Sequence, residues 1–219
     1  MNILKTEKVS AYTHGALVPV MAAGTILLSI LAGKNLYLQI SLLIYGFSAI
    51  ILFTASFVFH ATLKFGNEKT FWRKVDRSAI FLLIAGSYTP LCVLYLEGAM
   101  MRGILAAEWI LVLSGIAFSF FTNAPRKIST LIYLSMGWLV IIPFKTLITA
   151  MPSNIFALLV AGGIFYTMGA LVYAFKKPDI QILNIGFHEV FHLFVNAGAV
   201  FHLLTIIGGV IIFNKVQVS

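Results

Sequence analysis

Seven stretches of about twenty mainly apolar residues follow one another along the chain, at 16–33, 37–62, 77–97, 100–121, 128–149, 154–175 and 187–213. A helix rises about 1.5 Å per residue, so each stretch is long enough to cross the ~30 Å hydrocarbon core of a bilayer. The connectors are short, and the chain shows neither an internal repeat nor a low-complexity linker. The expected fold is all-α: a polytopic membrane protein whose residues 1–219 form a single seven-helix transmembrane domain.

Composition removes the alternatives. Apolar residues make up 60% of the chain and charged residues only 10%, where a soluble domain carries about 25% charged residues. A globule of this size cannot hide so much apolar surface, because small domains keep a large exposed fraction. A soluble enzyme, a disordered chain and a collagen-like fibre are all excluded. In a soluble domain a net charge of +8 would suggest nucleic-acid binding. Here it is better read as the flanking charge of a membrane protein, and no nucleic-acid partner is expected. The lone cysteine, Cys92, rules out an internal disulfide. The first apolar run is long and has no small-residue cleavage site, so no removable signal peptide is expected.

The basic residues also set orientation. On one side, counting the N-terminus and alternate connectors, lie Lys5, Lys8, Lys64, Lys69, Arg73, Lys74, Arg77, Arg126, Lys127, Lys176 and Lys177. The other side has Lys34, Arg102 and Lys215, and Lys145 sits near the outer end of the fifth run. Cytoplasmic loops carry the excess of Lys and Arg. The N-terminus is therefore expected in the cytoplasm and the C-terminus outside.

That topology gathers the histidines. His14 precedes the first run, His60 ends the second, Asp76 opens the third, and His188 and His192 begin the seventh. All five residues fall at the cytoplasmic face. His188 and His192 are four apart, so one helix face presents both imidazoles, one turn apart. Two ligands of one metal suit that spacing, and His60 can supply a third. Three protein ligands plus a water is the pattern of a catalytic zinc site. Ser56, one turn deeper than His60, is placed with Asp76 to orient a ligand or hold water. His202 lies ten residues past His192, roughly 15 Å along the axis, and reads as a packing or hydrogen-bonding residue.

The segments S-F-V-F-H (56–60), D-R-S-A-I-F-L-L-I-A-G-S-Y-T-P (76–90), M-G-W (136–138) and H-E-V-F-H (188–192) resemble the haemolysin III family. That family is the bacterial branch of the progestin and adipoQ receptor superfamily. The likeness extends over nearly the whole chain, including T-H-G (13–15) and G-A-V-F-H (198–202). It implies a seven-helix fold in the bacterial cytoplasmic (inner) membrane, with Zn2+ near the cytoplasmic face. It further implies His60, His188 and His192 as zinc ligands, with Ser56 and Asp76 as polar partners around the metal's water. Superfamily relatives are linked to ceramidase-type lipid hydrolysis, and bacterial members to haemolysis and membrane homeostasis.

H-E-V-F-H also matches H-E-x-x-H, the zinc-protease signature, with Glu189 in the general-base position. Intramembrane metalloproteases add an acidic ligand from a distant helix. The chain has no L-D-G or N-P-D-G segment, and its only other aspartate, Asp179, falls in a connector. Pro90 inside the third run removes a backbone hydrogen bond and bends the helix. Ser87 faces the same way as Asp76, so either a polar track leads inward or local hydroxyls bond back to the chain. Gly162, Gly163 and Gly169 read as close helix contacts. The basic stretch from Lys64 to Arg77 either fixes topology or gathers anionic lipid headgroups.

The chemistry expected of the site is hydrolysis of a lipid amide or ester, with Zn2+ on His60, His188 and His192. Asp76 would handle the proton, and Ser56 would orient water or the oxyanion. Membrane lipids are the expected partners and a lipid the expected substrate. A non-enzymatic membrane sensor with structural zinc, or a cytolytic membrane protein, stands as the alternative.

Overall fold

A computed structural model describes residues 3–62, 71–122, 126–178 and 186–218. Every regular element among them is helical. The α-helices are α1 (Ile3–Gly15), α2 (Leu17–Ala32), α3 (Leu36–Thr62), α4 (Phe71–Tyr95), α5 (Gly98–Phe121), α6 (Arg126–Gly137), α7 (Phe144–Ala150), α8 (Ser153–Phe175) and α9 (Phe187–Val218). Lys64, Lys69 and Asp179 lie outside the described residues.

Six spans are long and apolar enough to cross a bilayer, or seven when one bent pair is counted as a span. The chain is an integral membrane protein. Side chains such as Ile26, Ile30, Leu113 and Phe121 point outward and are largely exposed, which is stable only where the surrounding solvent is lipid. Of their most apolar windows, α3 and α4 bury 56% and 61%, against 22% for α5 and 28% for α8. Helices α3 and α4, with α9, therefore form the interior of the bundle, and the others face lipid.

Three boundaries differ from the sequence expectation. The first span begins at Lys8, because α1 runs almost directly into α2 across Ala16, whose amide donates to the Tyr12 carbonyl at 2.9 Å. His14 is consequently part of a span and does not precede one. Helix α4 starts at Phe71, so Asp76 sits in its second turn. A hydropathy window rejects Arg73 and Lys74, yet both are good helix formers whose stems can lie along apolar surface. Lys74 makes use of this position: its ammonium donates to the Phe120 carbonyl at 2.9 Å, near the C-terminal end of α5.

The third difference is the run at 128–149. It is not one helix but Lys127–Ile141 and Phe144–Ala150, bent by 56°. After Gly137 the chain tightens into a 3-10 turn over Trp138–Ile141, and Pro143 has no amide with which to continue. A break in lipid must have its backbone groups satisfied from elsewhere in the protein. Tyr88 does this with one hydroxyl, donating to Gly137 O at 2.8 Å and accepting from Val140 N at 2.7 Å.

Helix α4 also resolves the Pro90 segment. Ser87 Oγ donates to Ile84 O and Thr89 Oγ1 to Ala85 O, both at 2.8 Å, so the hydroxyls bond back to their own helix. Gly162 packs on His202 and Gly169 on Phe194, as close helix contacts should. Gly163 is different, because a side chain there would meet nothing within 4 Å. His202 meets Tyr166 edge-on, ring centroids 5.1 Å apart.

Candidate metal centre

The last turn of α3 and the first turns of α9 bring three imidazoles to one end of the bundle. His188 Nε2 lies 3.2 Å from His60 Nε2 and 3.2 Å from His192 Nε2. One ligand atom from each of the three residues falls within 4.8 Å of the others. Two nitrogens held by a tetrahedral zinc at 2.0–2.1 Å are about 3.3–3.4 Å apart. The cluster therefore has the dimensions and donor type of a three-histidine metal site. Its chemistry fits zinc and other imidazole-binding divalent metals alike.

Orientation of His192 comes from α1. Its Nδ1 lies 3.2 Å from the Ser10 carbonyl oxygen and 3.5 Å from Thr13 Oγ1. A carbonyl only accepts, so Nδ1 carries the proton and Nε2 presents its lone pair toward the cluster. His14 stacks on the same ring, with centroids 3.7 Å apart and planes 13° from parallel.

Glu189 occupies the middle of H-E-V-F-H but is committed to other partners. Its Oε1 accepts from Ser10 Oγ at 2.9 Å and its Oε2 from the Gly186 amide at 2.8 Å. It satisfies one amide at the start of α9 and ties α1 to that helix, with Asn196 Nδ2 adding a 3.0 Å bond to Thr13 O. A metalloprotease needs this carboxylate facing its water. Here it is 4% exposed and turned to Ser10.

Ser56 and Asp76 meet across α3 and α4 in a side-chain hydrogen bond, with Arg73 and Arg77 close to the carboxylate. Both residues line a cavity of about 40 Å³ together with His14, Arg77, Ser129, Tyr133, Tyr173, His188 and His192. Ser87 is not in its wall, and its hydroxyl bonds back to Ile84 O instead. A single water needs roughly 10–15 Å³ on the same measure, so the cavity holds about three heavy atoms. The five residues singled out from the sequence are thus brought together. Sequence reasoning passed over Ser10 and Thr13, left His14 outside the site, and missed Tyr133 and Tyr173. A signal for the first three was present: positions 10, 13 and 14 share a helix face, but the stretch looked too polar to be a helix of the bundle.

A bundle of lipid-facing helices with a buried three-histidine cluster at one end defines a polytopic membrane protein with a candidate metal centre. Comparison with known proteins narrows the class. The profile of the family described as haemolysin-III related matches residues 2–203, and the chain belongs to that family. It is 36% identical over 201 residues to Hemolysin-3 of Bacillus cereus, covering 90% of this chain and 89% of that protein. It is 35% identical over 202 residues to the Hemolysin-3 homolog of Bacillus subtilis (strain 168), covering 91% and 92%.

Proposed function

We propose that the protein is a zinc-dependent hydrolase of a membrane-lipid amide or ester, working at the cytoplasmic face of a bacterial cytoplasmic (inner) membrane. The observation that carries this reading is a three-histidine cluster at metal-ligand separations, two of whose members, His188 and His192, share a small cavity with the Ser56–Asp76 pair. The excess of Lys and Arg on one side supports an N-terminus in the cytoplasm. The resemblance to the progestin and adipoQ receptor superfamily supports both the metal and the lipid.

His60, His188 and His192 would hold the zinc, which supplies a Lewis acid for the scissile carbonyl and for water when bound. Asp76 takes the proton as a water oxygen attacks the carbonyl carbon, then passes it to the departing amine or alcohol. Ser56 fixes the carboxylate by its hydrogen bond. Arg77 keeps a positive charge beside it.

The test is elemental analysis of purified protein together with lipid profiles of cells with and without the gene. About one zinc per chain, lost in His60→Ala and His192→Ala, and one accumulating lipid class are expected. Protein carrying no metal rejects the reading. The small cavity favours a second reading, in which zinc only pins α3 to α9 in a non-enzymatic homeostasis protein. Asp76→Asn separates the two: an enzyme keeps zinc and loses turnover, whereas a structural site keeps its cellular function.

A further inference from the structure

Helices α2 and α3 leave an open groove of about 450 Å³ on the lipid-facing surface, and it shares no residue with the cavity beside the histidines. Small residues create it. A Cβ at Gly46 would run into Thr25, so the two helices meet closely there, while Ala22 and Ser29 leave room beside the contact. Helix α2 contributes Ile26 and Ile30, 63% and 71% exposed, and α3 contributes Leu43, Phe47 and Ile50. From Ala22 to Ile30 the groove runs about 12 Å along α2. One leaflet is half of a ~30 Å hydrocarbon core, so the groove matches the depth of a single leaflet.

Polar groups occupy one end of it. Thr25 Oγ1 donates to Met21 O at 2.7 Å and is satisfied within its own helix. Ser29, one turn further along and half-buried, lines the groove and makes no side-chain hydrogen bond among the described residues. A hydroxyl facing hydrocarbon without a partner is costly, and here an acceptor can come from the groove. Lys34 is exposed in the tight turn between the helices. That turn is held by the Gly33 amide on Ile30 O at 3.2 Å and the Leu38 amide on Asn35 Oδ1 at 3.0 Å. Lys34 therefore stands about one turn beyond Ile30, at headgroup level, and the N-terminus of α3 adds partial positive charge beside it.

The geometry points to a binding site for an anionic phospholipid between α2 and α3: one acyl chain fills the groove, its ester carbonyl accepts from Ser29 Oγ, and the phosphate pairs with Lys34. The order of chemistry along the groove is the order along a phospholipid: charge at the turn, a donor one turn in, then hydrocarbon. Charge also decides against a second copy of the chain, because a two-fold axis through this groove along the membrane normal would set Lys34 against Lys34. The site lies at the opposite end of α3 from His60. Its lipid is accordingly a resident ligand rather than the molecule hydrolysed, and the inference stands without the metal.

The probe is phosphatidylglycerol with a photoactivatable acyl chain, present as a minor component of phosphatidylcholine vesicles that carry the full-length protein. Cross-linked peptides are located by mass spectrometry for wild type, Lys34→Gln and Ser29→Leu, with unlabelled phosphatidylglycerol or phosphatidylcholine as competitor. In wild type the label is expected on residues 22–50, displaced by phosphatidylglycerol at lower concentration than by phosphatidylcholine. Lys34→Gln should weaken that preference about fivefold. Ser29→Leu, which fills the groove and removes the hydroxyl, should cut labelling there about tenfold. Lys34→Gln alters an exposed turn residue and so decides the matter even where Ser29→Leu fails to fold. Label spread evenly over the lipid-facing helices overturns the inference, as does equal competition by the two lipids. Chain-to-chain cross-links through α2 that exclude the lipid label also overturn it, by placing a second copy in the groove.

Discussion

The main-chain carbonyl of Ser10 lies 3.2 Å from Nδ1 of His192, a residue 182 positions away. That contact makes the N-terminal helix part of the candidate metal centre, because it decides which nitrogen of His192 is free. The Ser10 side chain completes the attachment through Glu189. Replacing Ser10 by Ala keeps the carbonyl and removes the hydroxyl. Glu189, 4% exposed, then loses a donor, and a buried acceptor deprived of its partner costs about 1–3 kcal/mol. Thermal unfolding in detergent is expected to shift downward while metal content stays at the wild-type level.

Glu189→Gln distinguishes an anchor from a general base. An amide oxygen can still accept from Ser10 or Gly186, so metal content is expected to hold and stability to fall by about 1–2 kcal/mol. Lipid turnover, once a substrate is known, should stay within a few-fold of wild type. A loss of several orders of magnitude would return Glu189 to the chemistry.

Metal removal should loosen α3 from α9. A ligand present at a hundred times its dissociation constant stabilises a folded protein by about 2.7 kcal/mol. Chelator treatment is expected to lower the unfolding temperature of wild type, added zinc to restore it, and His192→Ala to respond to neither. Wild type that is indifferent to chelator would show that the cluster holds no metal of consequence.

Tyr88→Phe tests the broken span. The hydroxyl it removes serves both Gly137 O and Val140 N, and neither group has water nearby in lipid. Destabilisation of about 1–3 kcal/mol is expected, with faster amide exchange confined to residues 137–142. The metal content, set at the far end of α4, should not change.

A pair of adjacent glycines offers an internal control. A methyl at Gly162 would run into His202 and approach the Gly198 carbonyl, while one at Gly163 meets nothing within 4 Å. Gly162→Ala is expected to destabilise the α8–α9 contact. Gly163→Ala should be neutral or gain up to about 1 kcal/mol, the helix-propensity difference between alanine and glycine. Parallel thermal melts read both.

A buried carboxylate in α5 gives a further check. Glu108 is 0% exposed, and both its oxygens lack a hydrogen-bond partner among the described residues. A buried polar group without a partner is costly, so a neutral group of similar volume there gives up little. Glu108→Gln is expected to melt at or above the wild-type temperature, and a fall of several degrees would show that the carboxylate has a role at this position.

The seven apolar runs were legible because lipid imposes a length and composition rule that acts on each helix separately. The His188–His192 pair was legible because four-residue spacing is a property of one helix. Convergence with His60 and Asp76 followed from topology alone, since alternating spans put those ends on one side. The break at Gly137–Pro143 was hidden: hydropathy sums over a window and is blind to a tyrosine on another helix that satisfies the opened backbone.

The sequence by itself determined that this is a multi-span helical membrane protein with histidines gathered at one end, because periodicity and hydropathy are local quantities. Only the tertiary structure decided that α1 docks on α9, that Glu189 is bound to Ser10, that His14 stacks on His192, and that Ser56 reaches Asp76. Each of those relations joins residues on different helices. Their distances depend on how helices rotate and pack against one another, which no spacing along a single chain encodes.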